Sequence, residues 1–170
     1  MKQIDFRYDL LPLKDKLFRL ALRIVQDRPE AEDVTQDTLL RVWERREELS
    51  QVKSLEAYVL TTGRNLALDR CRKREAQNIS LEETTADTPD SALTADRQME
   101  ADEKRQRVHD IFNRLPETQR TVMQLRDIEG KTTREVAEIM GLTEENVKVI
   151  LFRARRTVRE QYEKLENYGL

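Results

Sequence analysis

At 170 residues the chain is long enough for one domain or two small ones, and with 5% aromatic residues its core must rest on Leu, Ile, Val and Ala. Charged residues make up 38% of it and Gly plus Pro only eight positions, which favours an all-α fold over a turn-rich sheet. No apolar run approaches a membrane span, MKQIDFRYDLLPLKD lacks the apolar stretch of a signal peptide, and a net charge of −2 sits poorly with a nucleic-acid partner until its distribution is examined.

The N-terminal block, about residues 8–74, reads as successive amphipathic helices. Leu17, Leu20, Ala21 and Ile24 recur at helical spacing. Asp27 and Pro29 break the chain and restart it. A second helix runs through AEDVTQDTLLRVWERREEL, with Glu30, Glu32 and Asp33 in a first turn that suits acids. A third, SLEAYVLTTGRNLALDRCRKR, starts after Ser54. It ends in the basic cluster Arg64, Arg70, Arg72, Lys73 and Arg74, with Asp69 the one acid among them.

Residues 75–103 carry nine acids against one base, Arg97, and no helical apolar period in their centre. They read as a flexible acidic linker. Without them the remaining chain is net positive by about six charges, so a near-neutral total conceals two basic modules joined by an acidic strap. The division expected is residues 1–76, a linker at 77–102, and 103–170.

The C-terminal block carries the sharper pattern. Val108, Ile111, Phe112 and Leu115 mark one buried helix face. Pro116 is placed to open the next helix, PETQRTVMQLRDI, and Gly130 to end it. Thr132 and Glu135 form a capping box for the short helix TREVAEIM. A turn at Gly141, Leu142 and Thr143 leads to a basic helix from Glu144 to about Lys164, with Val147, Ile150, Leu151, Ala154 and Val158 as its apolar face.

These spacings describe a helix-turn-helix. Two helices crossing steeply need a small residue at the crossing, Ala137, and a permissive one in the turn, Gly141. The second helix then buries one face and offers the other, Asn146, Lys148, Val149, Phe152, Arg153, Arg155 and Arg156, to the major groove. Basic side chains there suit phosphates, while Asn146 and Lys148 are placed to reach base edges.

FNRLPETQRTVMQLRDIEGKTTREVAEIMGLTEENVKVILFRARRTVRE resembles region 4 of an extracytoplasmic-function (ECF) sigma factor. AEDVTQDTLLRVWERREEL followed by SLEAYVLTTGRNLALDRCRKR resembles region 2. The two blocks occur in the family's order and at its spacing. The resemblance implies a cytoplasmic initiation factor whose partners are core RNA polymerase, promoter DNA and an anti-sigma factor. In the helix matching Ala31–Glu48 it places core-polymerase contacts at Asp33, Gln36, Asp37 and Leu40. It implies capture of the melted −10 element by Ser54, Arg64, Asn65, Asp69, Arg70, Arg72 and Lys73, and reading of the −35 duplex by Arg126, Thr143, Asn146, Lys148, Val149, Phe152, Arg153 and Arg156. Two positions depart from the family pattern: Val149 stands where a small polar residue is usual, and Glu145 where Gly is frequent. Trp43, Leu66 and Leu68 read better as core, and Asp69 also fits a role orienting Arg70 or Arg72.

Rival readings are a response-regulator output domain, which leaves the AEDVTQD segment unexplained, and a helical adaptor that binds only polymerase. An enzyme fits least. Cys71 and His109, one of each type, cannot make a Cys/His zinc site, and no Gly-rich phosphate loop or nucleophile elbow occurs. No cofactor, small-molecule substrate, catalytic residue or membrane insertion is expected. The linker is compatible with packed modules and with tethered ones.

Overall fold

Residues 3–78 and 96–167 are described in the structure, a computed structural model, and every regular element among them is helical. After a turn capped by Asp5, helix α1 runs over Lys14–Val25 and buries the expected Leu17, Leu20, Ala21 and Ile24. It stops at Gln26, whose φ of 57° lies in the left-handed region that side chains seldom enter. Asp27 restarts the chain: its carboxylate accepts from the Glu30 N–H at 3.1 Å, and Pro29 sits in the first turn of α2 (Arg28–Glu44).

That helix ends short of the Ala31–Glu48 span expected from sequence. The Arg46 guanidinium lies 4.1 Å from the centre of the Trp43 ring and donates to the Trp43 carbonyl at 2.9 Å, fixing a turn there. A 3-10 segment, Glu48–Gln51, then delivers Leu49 to the core. Trp43 itself is half-buried against the core and takes the edge of Phe6 at 5.6 Å, as a structural residue should. Helix α3 (Leu55–Asn78) opens on the Ser54 hydroxyl, which accepts from the Ala57 N–H at 3.1 Å. Where α1 meets α3 there is no room for a side chain, since a Cβ on Gly63 would lie 2.3 Å from Leu17 Cδ1.

The heart of the proposed linker, residues 79–95, lies outside the described residues. Helix α4 (Asp96–Asn113) begins inside the 77–102 stretch read as linker and buries Ile111 and Phe112. Pro116 is the N-cap of α5 (Glu117–Met123) rather than its first residue, its carbonyl accepting from Arg120 at 2.9 Å. The chain continues as a wide π turn, Gln124–Ile128, and Gly130 adopts a φ of 73°. Helices α6 (Thr133–Met140) and α7 (Glu144–Asn167) complete the order.

The two modules pack together, settling the alternative that the sequence left open. A single apolar cluster runs from Leu17 and Leu20 of α1 to Val122, Leu125 and Ile139 of the C-terminal module. Around it lies a polar seam. Arg19 makes a two-pronged contact to Glu129, 2.8 Å on each prong. Burial alone would push the Glu129 carboxyl up, but hydrogen bonds from Arg19 and Gln124 bring it below the usual range.

Arg23 is the seam's centre. It donates to Gln124 at 2.8 Å and Asn113 at 2.9 Å, and its guanidinium lies 3.9 Å from the centre of the Phe112 ring. Burial, with Arg120 adding like-charge repulsion, lowers the Arg23 pKa to about 10. Gln26 donates to the Asn113 carbonyl at 2.7 Å, Arg120 to the Ile24 carbonyl at 3.3 Å, and buried Lys131 pairs with Glu56. Gln124, only 1% exposed, opens the π turn and lies within this seam.

Candidate nucleic-acid and polymerase interfaces

The helix-turn-helix is built as its sequence suggests. Thr132 accepts from the Glu135 N–H at 3.1 Å while the Glu135 carboxylate accepts from the Thr132 N–H at 2.8 Å. Gly141 takes a φ of 68° at the turn, and Ala137 is buried where α6 and α7 meet. The Thr143 hydroxyl accepts from the Asn146 N–H at 3.1 Å and caps α7, so this proposed DNA contact already has a local task.

Val147, Leu151 and Ala154 hold α7 to the module, while Asn146, Lys148, Val149, Phe152, Arg153 and Arg156 all face solvent. Arg155 turns away to pair with Asp127. Arg126 is half-buried and lines one shallow depression with Thr133, Lys148, Phe152, Arg155 and Arg159. Its Nε is buried with no hydrogen-bond partner among the described residues.

The basic end of α3 is arranged differently. Arg64 faces the other module and pairs with Glu117 at 3.3 Å. Arg70 reaches Asp37 at 2.7 Å and Asp33 at 3.8 Å. Arg72 pairs with Asp69 at 3.2 Å, in line with the orienting role considered for that acid. Arg74 binds the Val25 carbonyl at 2.7 Å and Glu30 at 3.5 Å. Lys73 alone of the cluster is exposed without an ion-pair partner among the described residues.

Asn65 and Asp69 do share a surface. With Tyr58, Thr62 and Leu66 of α3, and Arg41, Val42, Glu44 and Arg45 from the end of α2, they line a depression of about 320 Å³. Ser54 is spent on capping α3. Sequence reasoning missed Arg41, Arg45, Tyr58 and Thr62. The signal was there: Tyr58, Thr62, Asn65 and Asp69 follow one helix stripe, as do Arg41 and Arg45.

On α2 the four expected polymerase contacts form one stripe. Gln36 and Leu40 are exposed, Leu40 by 56%, and Asp33 and Asp37 stand beside them with their carboxylates drawn towards Arg70. No group of three or more potential metal ligands occurs among the described residues, and no helix there is long and apolar enough to cross a membrane.

A helix-turn-helix packed on a three-helix module defines a class of helical DNA-binding protein, and the comparisons place the chain within it. Residues 12–77 match sigma-70 region 2 and residues 105–158 match sigma-70 region 4. The chain is 31% identical over 144 residues to the ECF RNA polymerase sigma factor SigL of Mycobacterium tuberculosis, covering 84% of this chain and 80% of that one. It is 31% identical over 149 residues to the probable RNA polymerase sigma factor RfaY of Xanthomonas campestris, of whose length it spans only 36%. Its fold matches the sigma factor RpoE of Bartonella quintana, solved with the anti-sigma factor NepR, at a TM-score of 0.73 and 27% identity, covering 95% of this chain and 98% of that one. The chain belongs to the ECF group of the sigma-70 family, whose members direct RNA polymerase to promoters.

Proposed function

We propose that this chain is a cytoplasmic, non-enzymatic initiation factor that reads the −35 element as duplex through α7 and the −10 element as a melted strand through α3. One observation carries the reading: on a capped helix-turn-helix, the outer face of α7 holds Asn146, Lys148, Arg153 and Arg156 open to solvent. The stripe Asp33, Gln36, Asp37 and Leu40 docks on core polymerase. The depression around Asn65 accepts an unstacked base, with its amide at a base edge and Arg41, Arg45 and Lys73 along the strand. An anti-sigma factor, like the one bound to Bartonella RpoE, is the inhibitory partner.

The packed modules must separate in this mechanism. Elements centred near −35 and −10 lie about 85 Å apart along B-form DNA at about 3.4 Å per pair. A compact chain of this length is about 40 Å across. Docking on polymerase therefore has to break the Arg19, Arg23 and Lys131 seam, and two modest DNA contacts on one tether then reinforce each other through effective concentration.

Run-off transcription with purified core polymerase and a promoter library tests the reading. Discrete new starts that depend on this chain are expected. Tight polymerase binding without new starts would replace it with the adaptor reading. Asn65→Ala should leave closed complexes intact and reduce permanganate reactivity of the −10 strand; unchanged reactivity removes the base pocket.

A further inference from the structure

Two of the most exposed large apolar side chains among the described residues sit side by side on α7. Val149 is 46% exposed and Phe152 61%, and they line one shallow depression with Lys148, Arg153 and Arg156. Being three residues apart, they project from the same helix face, and neither belongs to the buried set that holds α7 to its module. The Arg156 guanidinium lies 5.7 Å from the centre of the Phe152 ring, which backs the ring from one side.

Cations on the same face draw this strip towards phosphates and a polar groove, where an apolar pair would lose its hydration for little return unless it meets apolar matter. The base edges of the major groove offer one apolar group, the C5-methyl of thymine. Val149 cannot make the hydrogen bond that a small polar residue at this position would offer, so it has only packing to contribute.

Resting on the reading of α7 as the −35 helix, we propose that Val149 and Phe152 read the methyl groups of thymines on neighbouring base pairs. Side chains three residues apart on a helix stand about 5–6 Å from one another, within reach of two neighbouring base pairs stacked about 3.4 Å apart. Val149 and Phe152 thereby favour A·T pairs at two adjacent positions of the element, while Lys148 and Arg153 supply affinity and hydrogen-bonded readout beside them.

The test alters the DNA rather than the fold. In the selected −35 duplex each thymine is replaced in turn by deoxyuridine, which removes the methyl and keeps every hydrogen-bonding group. Binding of the holoenzyme is then titrated. One or two replacements should each weaken binding by about fourfold, the factor given by about 0.8 kcal/mol for one buried methyl-sized group. Val149→Ser should abolish the uracil effect at one position and Phe152→Ala at its neighbour. A flat uracil scan overturns the proposal. So does a Phe152→Ala variant that discriminates normally between thymine and uracil but loses affinity for core polymerase, which would give the patch to a protein partner. Arg153→Ala separates the two layers: if it weakens duplex binding while the uracil scan is flat, α7 still binds DNA and only the methyl readout fails, whereas unchanged duplex binding removes the −35 reading itself.

Discussion

The basic end of α3 and the outer face of α7 look alike in sequence, each a run of arginines and lysines on a helix, yet the fold treats them in opposite ways. On α3 it answers almost every cation with an acid: Arg64 with Glu117, Arg70 with Asp33 and Asp37, Arg72 with Asp69, and Arg74 with Glu30. On α7, Lys148 and Arg153 have no ion-pair partner among the described residues, and Arg156 reaches only Glu160, one turn away at 3.9 Å. Charge count predicts affinity for nucleic acid only where the fold leaves the charge unspent. In the proposed mechanism the α7 face needs no exchange of partners before it meets duplex, whereas most α3 cations must exchange theirs before they can follow a strand.

The sharpest way to break this comparison is to strip the open face. Lys148→Ala with Arg153→Ala should lower affinity for the upstream duplex by roughly 100-fold, taking about 1–3 kcal/mol for each base contact, with no change in melting temperature. A fall in melting temperature would mean that these side chains are spent within the fold, like those of α3.

Next in size is the pair Asp37→Arg and Leu40→Asp. Both should weaken binding to core polymerase by about tenfold in a pull-down titration, on the order of 1.4 kcal/mol. Asp37→Arg also frees Arg70 and should disturb −10 capture, while Leu40→Asp leaves that ion pair alone. Equal effects of the two on promoter melting would show that Arg70 is no reserve of charge.

A smaller effect is expected at the seam. Arg19→Glu should loosen the packed arrangement, raising the radius of gyration in small-angle scattering. The compensating Glu129→Arg in the same chain should restore it, with a coupling of about 1 kcal/mol, because the Arg19 side chain is half exposed although that of Glu129 is buried. Failure of the double variant to recover would assign the packing to the apolar cluster alone.

The smallest concerns pH. Burial and the charge of Arg23, with Arg105 behind it, push the His109 pKa down against the opposing pull of Asp110. A histidine with a depressed folded-state pKa stabilises packing above its unfolded value near 6.5 and loses that contribution as pH falls through the folded-state value. The packed form should therefore loosen on acidification from pH 7.5 to 5.5, and His109→Gln should flatten the response. An identical response in that variant would move the pH dependence to other groups.

Local devices in this chain were legible because their causes lie within a few residues of one another. The Asp27 and Pro29 restart, the Thr132–Glu135 box, the Gly141 turn and the buried stripes of α1 and α7 all appear where the spacing put them. Errors fell where a distant group intervened. The sequence pattern extends α2 beyond Glu44, but Arg46 stacking on Trp43 turns the chain. The helix after Met123 widens into a π turn, and Gln124 at its start meets Arg23, about a hundred residues away in the chain. No periodicity within one helix reports such a partner.

The sequence by itself determined an all-helical chain, its helix-turn-helix and its family, because helical periodicity, caps and turn glycines act over a few residues. Only the tertiary structure decided that the two modules share one core and a polar seam, and which arginines are already paired. Those outcomes depend on which side chains meet across the fold, and a linear pattern of charge does not contain that information.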